Sequence, residues 1–227
     1  MKVLERHTVG AAALVRYDRL DYDKARALQK RFVDERCKGQ RSDTLLLLEH
    51  GPVFTVGRSG REEHWGGEAA LRATGVPVHH VERGGSITYH GPGQLVAYPI
   101  LKLTNFCAGP KAYVRKLEEV LIGTLATWGI EGNRLDKFPG VWVSHNAPAK
   151  IAAVGVRIER GITMHGIALN VAMDLAPFER IIPCGIAGCR VTSMEKVIGH
   201  PLDIAAVHTR FVDEFARVFG VSWTEGT

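Results

Sequence analysis

Ile151-Ala-Ala-Val-Gly-Val-Arg-Ile158 and Met164-His-Gly-Ile-Ala-Leu-Asn-Val171, separated by Gly161, are the stretch of this 227-residue chain that decides its fold. Both segments are rich in β-type residues, and the glycine between them predicts a hairpin. Val141–Ser144 precedes them as a further strand. Upstream, Thr44–Glu49 and Val53–Val56 read as strands split by His50-Gly51-Pro52, and Val78–Glu82 and Leu95–Leu101 are also strand-like. Helices are few and long. Asp21–Arg36 sets Ala25, Leu28 and Phe32 on one side. Pro110–Trp128 starts with a good first-turn proline and ends before Gly129, with Tyr113, Leu117, Val120, Leu121, Leu125 and Trp128 at helical spacing. Asp203 is a natural N-cap for a last helix that ends at Phe219 before Gly220, with Ile204, Val207, Phe211, Phe215 and Val218 as its buried stripe. Grouped strands with few helices predict an α+β fold with a mixed or antiparallel sheet, not a doubly wound parallel one.

The composition is that of a globular protein, at 45% hydrophobic and 23% charged residues. The longest pure apolar stretches, such as Ala11–Val15 and Leu45–Leu48, fall far short of a membrane span. Met1 to Gly10 carries Glu5, Arg6 and His7 where a signal peptide would need an apolar core, so a cytoplasmic protein without membrane association is expected. Cys37, Cys107, Cys184 and Cys189 are too scattered for a disulfide framework. The formal charge of +5 is modest; it permits nucleic acid and equally suits an acidic protein partner. The basic stretch Lys24 to Arg41 reads as a solvated helix face, and without interleaved aromatics it predicts no nucleic-acid binding.

Residues 83–94, Arg-Gly-Gly-Ser-Ile-Thr-Tyr-His-Gly-Pro-Gly-Gln, place two glycine clusters around the strand-like run Ser86–Tyr89. Glycine lets another group approach the backbone closely. Two readings stand side by side: a preformed loop around a ligand, and an ordinary hairpin turning at Gly91-Pro92-Gly93.

Cys184 lies between Pro183 and Gly185, a frame that favours a non-helical turn open to a reagent. A reactive thiol needs a nearby cation, a histidine or a helix N-terminus. Cys184 and Cys189 could form half of a metal site or a redox pair, but a second ligand pair and a C-x-x-C motif are both missing, so no metal is expected. Lys150, at the start of the apolar strand Ile151–Val156, is the second candidate: its ammonium could favour a thiolate, or its free amine could serve as a base. The plain alternative is an exposed lysine on the loop Asn146-Ala147-Pro148-Ala149. Gly155 and Gly166 interrupt neighbouring strands, leaving a trough for a slender apolar ligand or marking β-bulges. His165 adjoins them, and His50, His79, His80 and His90 lie near the glycine clusters. His79 and His80 are adjacent and would point to opposite faces.

Taken together, Arg83-Gly84-Gly85 with Thr88–Gln94, Lys150–Gly155, His165–Val171, Pro183–Ile186 and Val191-Thr192-Ser193 resemble the lipoyl(octanoyl) transferases, the octanoyl-[acyl-carrier-protein]:protein N-octanoyltransferases. The resemblance spans about residues 43 to 195, and its specificity lies in the joint order and spacing of the motifs. It implies a single domain, 1–227, with the α/β sandwich of biotin/lipoate ligase catalytic domains. It also implies transfer of octanoyl from acyl carrier protein to the ε-amine of a lysine on lipoyl domains, those of 2-oxoacid dehydrogenases and the glycine cleavage H protein. Cys184 falls at the family's acyl-thioester nucleophile and Lys150 at its partner. The substrate-contacting segments fall on Arg83, Gly84, Gly85, Ser86, Ile87, Thr88, Tyr89 and His90, on Ala153, Val154 and Gly155, and on Gly166, Ile167 and Ala168. Ile167 stands where the family commonly has Phe or Leu, and Cys189 is outside the pattern.

The chemistry implied needs no cofactor, because thioester exchange is nearly isoenergetic and a cysteine can hold the acyl group without a nucleotide. Glycine-lined strands suit a straight acyl chain, with Arg83 and His90 expected near the rim of its pocket. An ATP-dependent lipoate or biotin ligase on the same fold is the competing enzyme reading, and a non-catalytic acyl-binding protein is the third.

Overall fold

The computed structural model describes residues 10–145, 147–186 and 188–225. The reading of the first nine residues and of Asn146 lies outside them. Along the chain come β1 (Gly10–Arg19), α1 (Tyr22–Cys37), β2 (Thr44–Glu49), β3 (Val53–Val56), α2 (Glu68–Arg72), β4 (Val78–His80), β5 (Ile87–His90) and β6 (Gln94–Ile100). There follow α3 (Pro110–Ala126), β7 (Asn133–Leu135), β8 (Phe138–His145), β9 (Ala147–Glu159) and β10 (Ile162–Asn170). The chain then adds β11 (Arg190–Val191), α4 (Met194–Ile198), α5 (Ile204–Phe219) and β12 (Val221–Glu225).

A mixed sheet in the order β12-β1-β2-β6-β10-β9-β8-β7, with β11 beside β9, forms the middle layer, and β4-β3-β5 form a smaller sheet. The leucine run of β2 reads as an unbroken apolar segment because both faces are covered. Leu45 and Leu47 pack with Tyr113, Leu117 and Leu121 of α3 and Phe211 and Phe215 of α5. Leu46 and Leu48 pack with Ala25, Phe32 and Val33 of α1 on the other face. Strand alternation thus sends successive side chains of one run into two cores.

The predicted hairpin is present: β9 and β10 pair antiparallel without a register shift from Ile162–Glu159 to Leu169–Ala152. Asp21 caps α1 by accepting from Asp23 N and Lys24 N, and Asp203 caps α5 through Ala205 N.

Other expectations change. Gly91-Pro92-Gly93 is not a hairpin turn. It carries the chain from β5 in the small sheet to β6 in the large one, closed by Gln94 N donating to Gly91 O. Ala147, Pro148 and Ala149 belong to β9, not to a loop, because β8 pairs with them through Val143–Ala149 and Ser144–Pro148. β1 and β12 escaped the sequence pattern: they pair parallel, Gly10 with Val221, across almost the whole chain. The basic stretch is largely ion-paired, with Arg26 on Glu82, Arg36 on Asp43 and Arg41 on Glu35. Cys37, at the end of α1, is exposed. No described helix is long and apolar enough to cross a membrane.

Candidate active site

Cys184 and Lys150 meet. Lys150 lies in β9 opposite Trp142 of β8, buried to 4% exposure, and its Nζ lies 3.0 Å from Cys184 Sγ. The indole ring of Trp142 lies 4.9 Å from Nζ, so an aromatic face and a thiol share the lysine head. Val191 of β11 pairs with Lys150, and Thr192 N donates to its carbonyl, so the chain leaving the cysteine turn also fixes the lysine backbone.

Cys184 sits in a tight turn at φ +59°, in the left-handed region that a side chain seldom occupies. Pro183 locks one side, and Gly185 (φ +69°) supplies the freedom on the other. A Cβ at Gly185 would lie 2.8 Å from the His64 ring. His64 Nδ1 accepts from Arg61 N, and Ser86 Oγ lies 2.6 Å from it, so the turn is clamped against the glycine-rich loop.

That loop is held on two sides. Gly84 N donates to Val156 O of β9, while Gly57 N, Arg58 N and Ser59 N, beyond β3, donate to Ser86 O, Arg83 O and Gly85 O. Gly155 pairs with Gly166 across β9 and β10. A Cβ at Gly155 would lie 3.1 Å from Arg83 Cδ and 3.2 Å from Gly84 O, so the glycine admits the loop to the strand.

Between loop and strands is a narrow cavity of about 50 Å³. It is lined by Arg83, Gly84, Gly85, Ser86, Ile87, Thr88 and His90, by Ala153, Val154 and Gly155, by His165, Gly166, Ile167 and Ala168, and by Cys184. Every expected site residue thus faces one space except Lys150, which reaches it through Cys184, and Tyr89. The Tyr89 ring points into the core between Phe54 and Phe178, at 5.2 and 5.7 Å, because strand alternation gives it the opposite face from Thr88 and His90. A wider cleft of about 740 Å³ lies beyond Pro183, lined by Phe178, Ile186 and Cys189, without Cys184 or Lys150 in its wall.

Buried polar side chains stand at the inner end of the narrow cavity. Arg83 and His90 are buried, not at the rim. Arg83 donates to Gly84 O, Thr55 O and Thr55 Oγ1, and burial lowers its guanidinium from the usual range. His50 Nδ1 donates to Leu20 O, so its Nε2 accepts from Tyr98 Oη. His90 Nδ1 donates to Gln94 Oε1. Burial, the largest cause, pushes His50 down to about 4 and His90 and His165 down to about 3. The positive charge of Arg83 lowers the latter two further. Burial likewise pushes Tyr22 up to about 12 and Cys189 to about 11, the latter also beside Cys184.

Asn170 ties the motifs together. Its Oδ1 accepts from Gln94 Nε2 and its Nδ2 donates to Thr192 O, joining the glycine-rich loop, β10 and the segment after Cys184. Tyr22, Thr55, His64, Tyr98 and Trp142 also stand at or beside the site without a signal in the sequence. Each is a lone polar or aromatic residue inside an ordinary segment, and only the fold brings it to the site. Among the described residues, no three His, Cys, Asp or Glu side chains are placed to hold a metal ion.

Comparison with known proteins agrees with this architecture. The family profile of the lipoyl protein ligase A/B catalytic domain matches residues 21–216. The octanoyltransferase of Xanthomonas campestris pv. campestris is 46% identical over 201 residues, 88% of this chain and 82% of that one. That of Alkaliphilus metalliredigens is 43% identical over 208 residues, 91% and 94% of the two chains. Among solved structures, a lipoate-protein ligase A bound with ATP superposes with a TM-score of 0.73 at 15% identity, covering 96% of this chain and 89% of the other. A biotin protein ligase from Aquifex aeolicus gives 0.55 at 14% identity, covering 91% and 70%. These distant structures share the α+β fold, whereas the sequence relatives share the activity. The chain belongs to the lipoyl protein ligase A/B catalytic domain family and, within it, is an octanoyl-transferring acyltransferase of protein lipoylation.

Proposed function

We propose that this chain, a single catalytic domain over residues 1–227, works in the cytoplasm with Cys184 as a covalent acyl carrier and Lys150 as its proton partner. It takes octanoyl from octanoyl-acyl carrier protein and gives it to a lysine on lipoyl domains, those of 2-oxoacid dehydrogenases and the glycine cleavage H protein. The observation that carries this reading is the 3.0 Å contact between Lys150 Nζ and Cys184 Sγ at the end of a cavity walled by glycine and small apolar residues.

The chemistry follows from that contact. As ammonium, Lys150 favours the thiolate of Cys184. The thiolate attacks the donor thioester carbonyl, the carbon–sulfur bond to the carrier breaks, and the departing thiolate takes a proton from Lys150. The acyl group is then on Cys184 and Lys150 is a free amine. The acceptor lysine attacks the new thioester, Lys150 takes a proton from the attacking nitrogen, and Cys184 leaves as thiolate, so thiol and amide are the net products. Arg83, Gly84, Gly85, Ser86, Ile87, Thr88 and His90 form one wall and Ala153, Val154, Gly155, Gly166, Ile167 and Ala168 the other. The chain's net positive charge suits an acidic carrier.

An ATP-dependent ligase on this fold would activate a free acid and need no thiol. The test is intact-mass measurement after mixing with octanoyl-acyl carrier protein without ATP or magnesium. An octanoyl adduct on the unaltered protein and none on Cys184→Ala is expected. Full transfer by Cys184→Ala overturns the mechanism.

A further inference from the structure

We infer that Gly140, held by Glu118, is the positioning element that sets the Lys150 side chain against Cys184. The inference rests on the cysteine–lysine reading above and goes beyond it in naming what aims the lysine.

The Lys150 stem crosses the neighbouring strand at Gly140. A Cβ there would lie 2.8 Å from Lys150 Cε and 2.4 Å from Ala152 O, so any side chain would displace the stem or the strand. Gly140 also has φ +124°, a conformation that side chains resist. Beside it the β8–β9 pairing slips by one residue, from Val141–Ala152 to Trp142–Lys150, leaving Ile151 as the extra residue of a bulge. The consequence is visible in the core: Ile151 and Ala152, adjacent in sequence, both pack into the core beneath α3. A regular strand would send one of them to the other face, and with it would reverse Lys150.

Gly140 is fixed from α3. Its N–H donates to Glu118 Oε1 at 3.0 Å. Glu118 is a nearly buried carboxylate, and its other oxygen accepts from Arg134 Nε of β7 at 3.2 Å. A continuous line therefore runs Arg134, Glu118, Gly140, Lys150, Cys184. It gives a reason for a buried acid on α3 that the core does not otherwise need: a charged acceptor holds the one backbone amide whose position decides where the lysine stem lies. None of the motifs that carry the family resemblance includes Glu118 or Gly140.

The test is the pH dependence of Cys184 alkylation by iodoacetamide, read by peptide mass so that the other thiols do not contribute. Lys150→Ala is expected to slow alkylation near neutral pH about tenfold, the effect of removing an opposite charge at contact distance. Glu118→Leu and Gly140→Ala are expected to slow it in the same direction by a smaller amount. Glu118→Gln keeps an oxygen acceptor for Gly140 N–H and is expected to retain the unaltered profile. A role confined to stability would lower the melting temperature of Glu118→Leu and leave the profile in place, which overturns the inference, as does a slowed Lys150→Ala beside a folded Glu118→Leu that is not slowed. If Lys150→Ala itself leaves the profile unchanged, the cysteine–lysine pairing fails. Where Gly140→Ala does not fold, the contrast between the two Glu118 variants decides.

Discussion

Mild acid is expected to remove much of this fold's stability through its buried histidines. His50, His90 and His165 are 0%, 7% and 2% exposed. Burial first, and for His90 and His165 also the Arg83 charge, holds them down to about 4, 3 and 3. In the unfolded chain each titrates near 6.5. Above that pH both states carry neutral imidazole and the full stability is present. As the pH falls below it, the unfolded chain takes up protons that the native state refuses, and each histidine costs about 1.4 kcal/mol per pH unit. The loss continues until the folded value is reached, about 4 for His50 and about 3 for the others. Three such groups remove roughly 6 kcal/mol between neutrality and pH 5, comparable to the whole stability of many domains. Glu82 does not obscure the window. Burial pushes its carboxyl up, but the hydrogen bond from Arg26 prevails and holds it at about 2, so its contribution is present above about 4.5 and is lost only below it. The assay is urea unfolding followed by tryptophan fluorescence at pH 7.5, 6.5, 5.5 and 5.0, with His165→Asn as a comparison. Asparagine tolerates the φ of +55° found there and removes one titrating group. The slope of unfolding free energy against pH is expected to fall by about a third in the variant. A flat profile between pH 7.5 and 5.0, or one that rises as pH falls, refutes the claim that these imidazoles are kept neutral by the fold.

Two further outcomes follow from the same geometry. Asn170→Leu removes the Asn170 oxygen that accepts from Gln94 Nε2 and leaves Thr192 O without its side-chain donor, so a loss of about 1–3 kcal/mol is expected by denaturant titration, and a loss below half a kcal/mol would remove Asn170 as the link between the motifs. Cys189, pushed up to about 11 by burial and by Cys184, is expected to stay unmodified at pH 8 while Cys184 reacts with iodoacetamide; equal labelling of the two by peptide mass would contradict it.

Much of the architecture was legible along the chain. The helix over Tyr22–Cys37 and the strands Thr44–Glu49 and Val53–Val56 carry their own periodicity and caps, and the β9–β10 hairpin announces itself through Gly161. Motif order and the family resemblance put Cys184, Lys150 and the glycine-bearing segments forward as one candidate site, and the fold brings Cys184 and Lys150 into contact. β1 was not legible, because Gly10–Arg19 has only a short apolar run and owes its place to β2 and to β12 at the far end of the chain. Nor was the face taken by Tyr89, since the sequence lists a residue of the motif without stating which side of the strand it occupies.

The amino-acid sequence by itself determined which reactive groups stand in which local frame, a thiol between Pro183 and Gly185, a lysine before an apolar strand and glycines where backbones touch, because these are properties of single residues and their neighbours. Tertiary structure alone decided that Lys150 Nζ and Cys184 Sγ stand 3.0 Å apart, that Arg83 and the imidazoles are buried and that a bulge lies beside Gly140 where the lysine stem crosses. Those outcomes depend on register and burial, which are set by strand pairings between distant parts of the chain and leave no local mark.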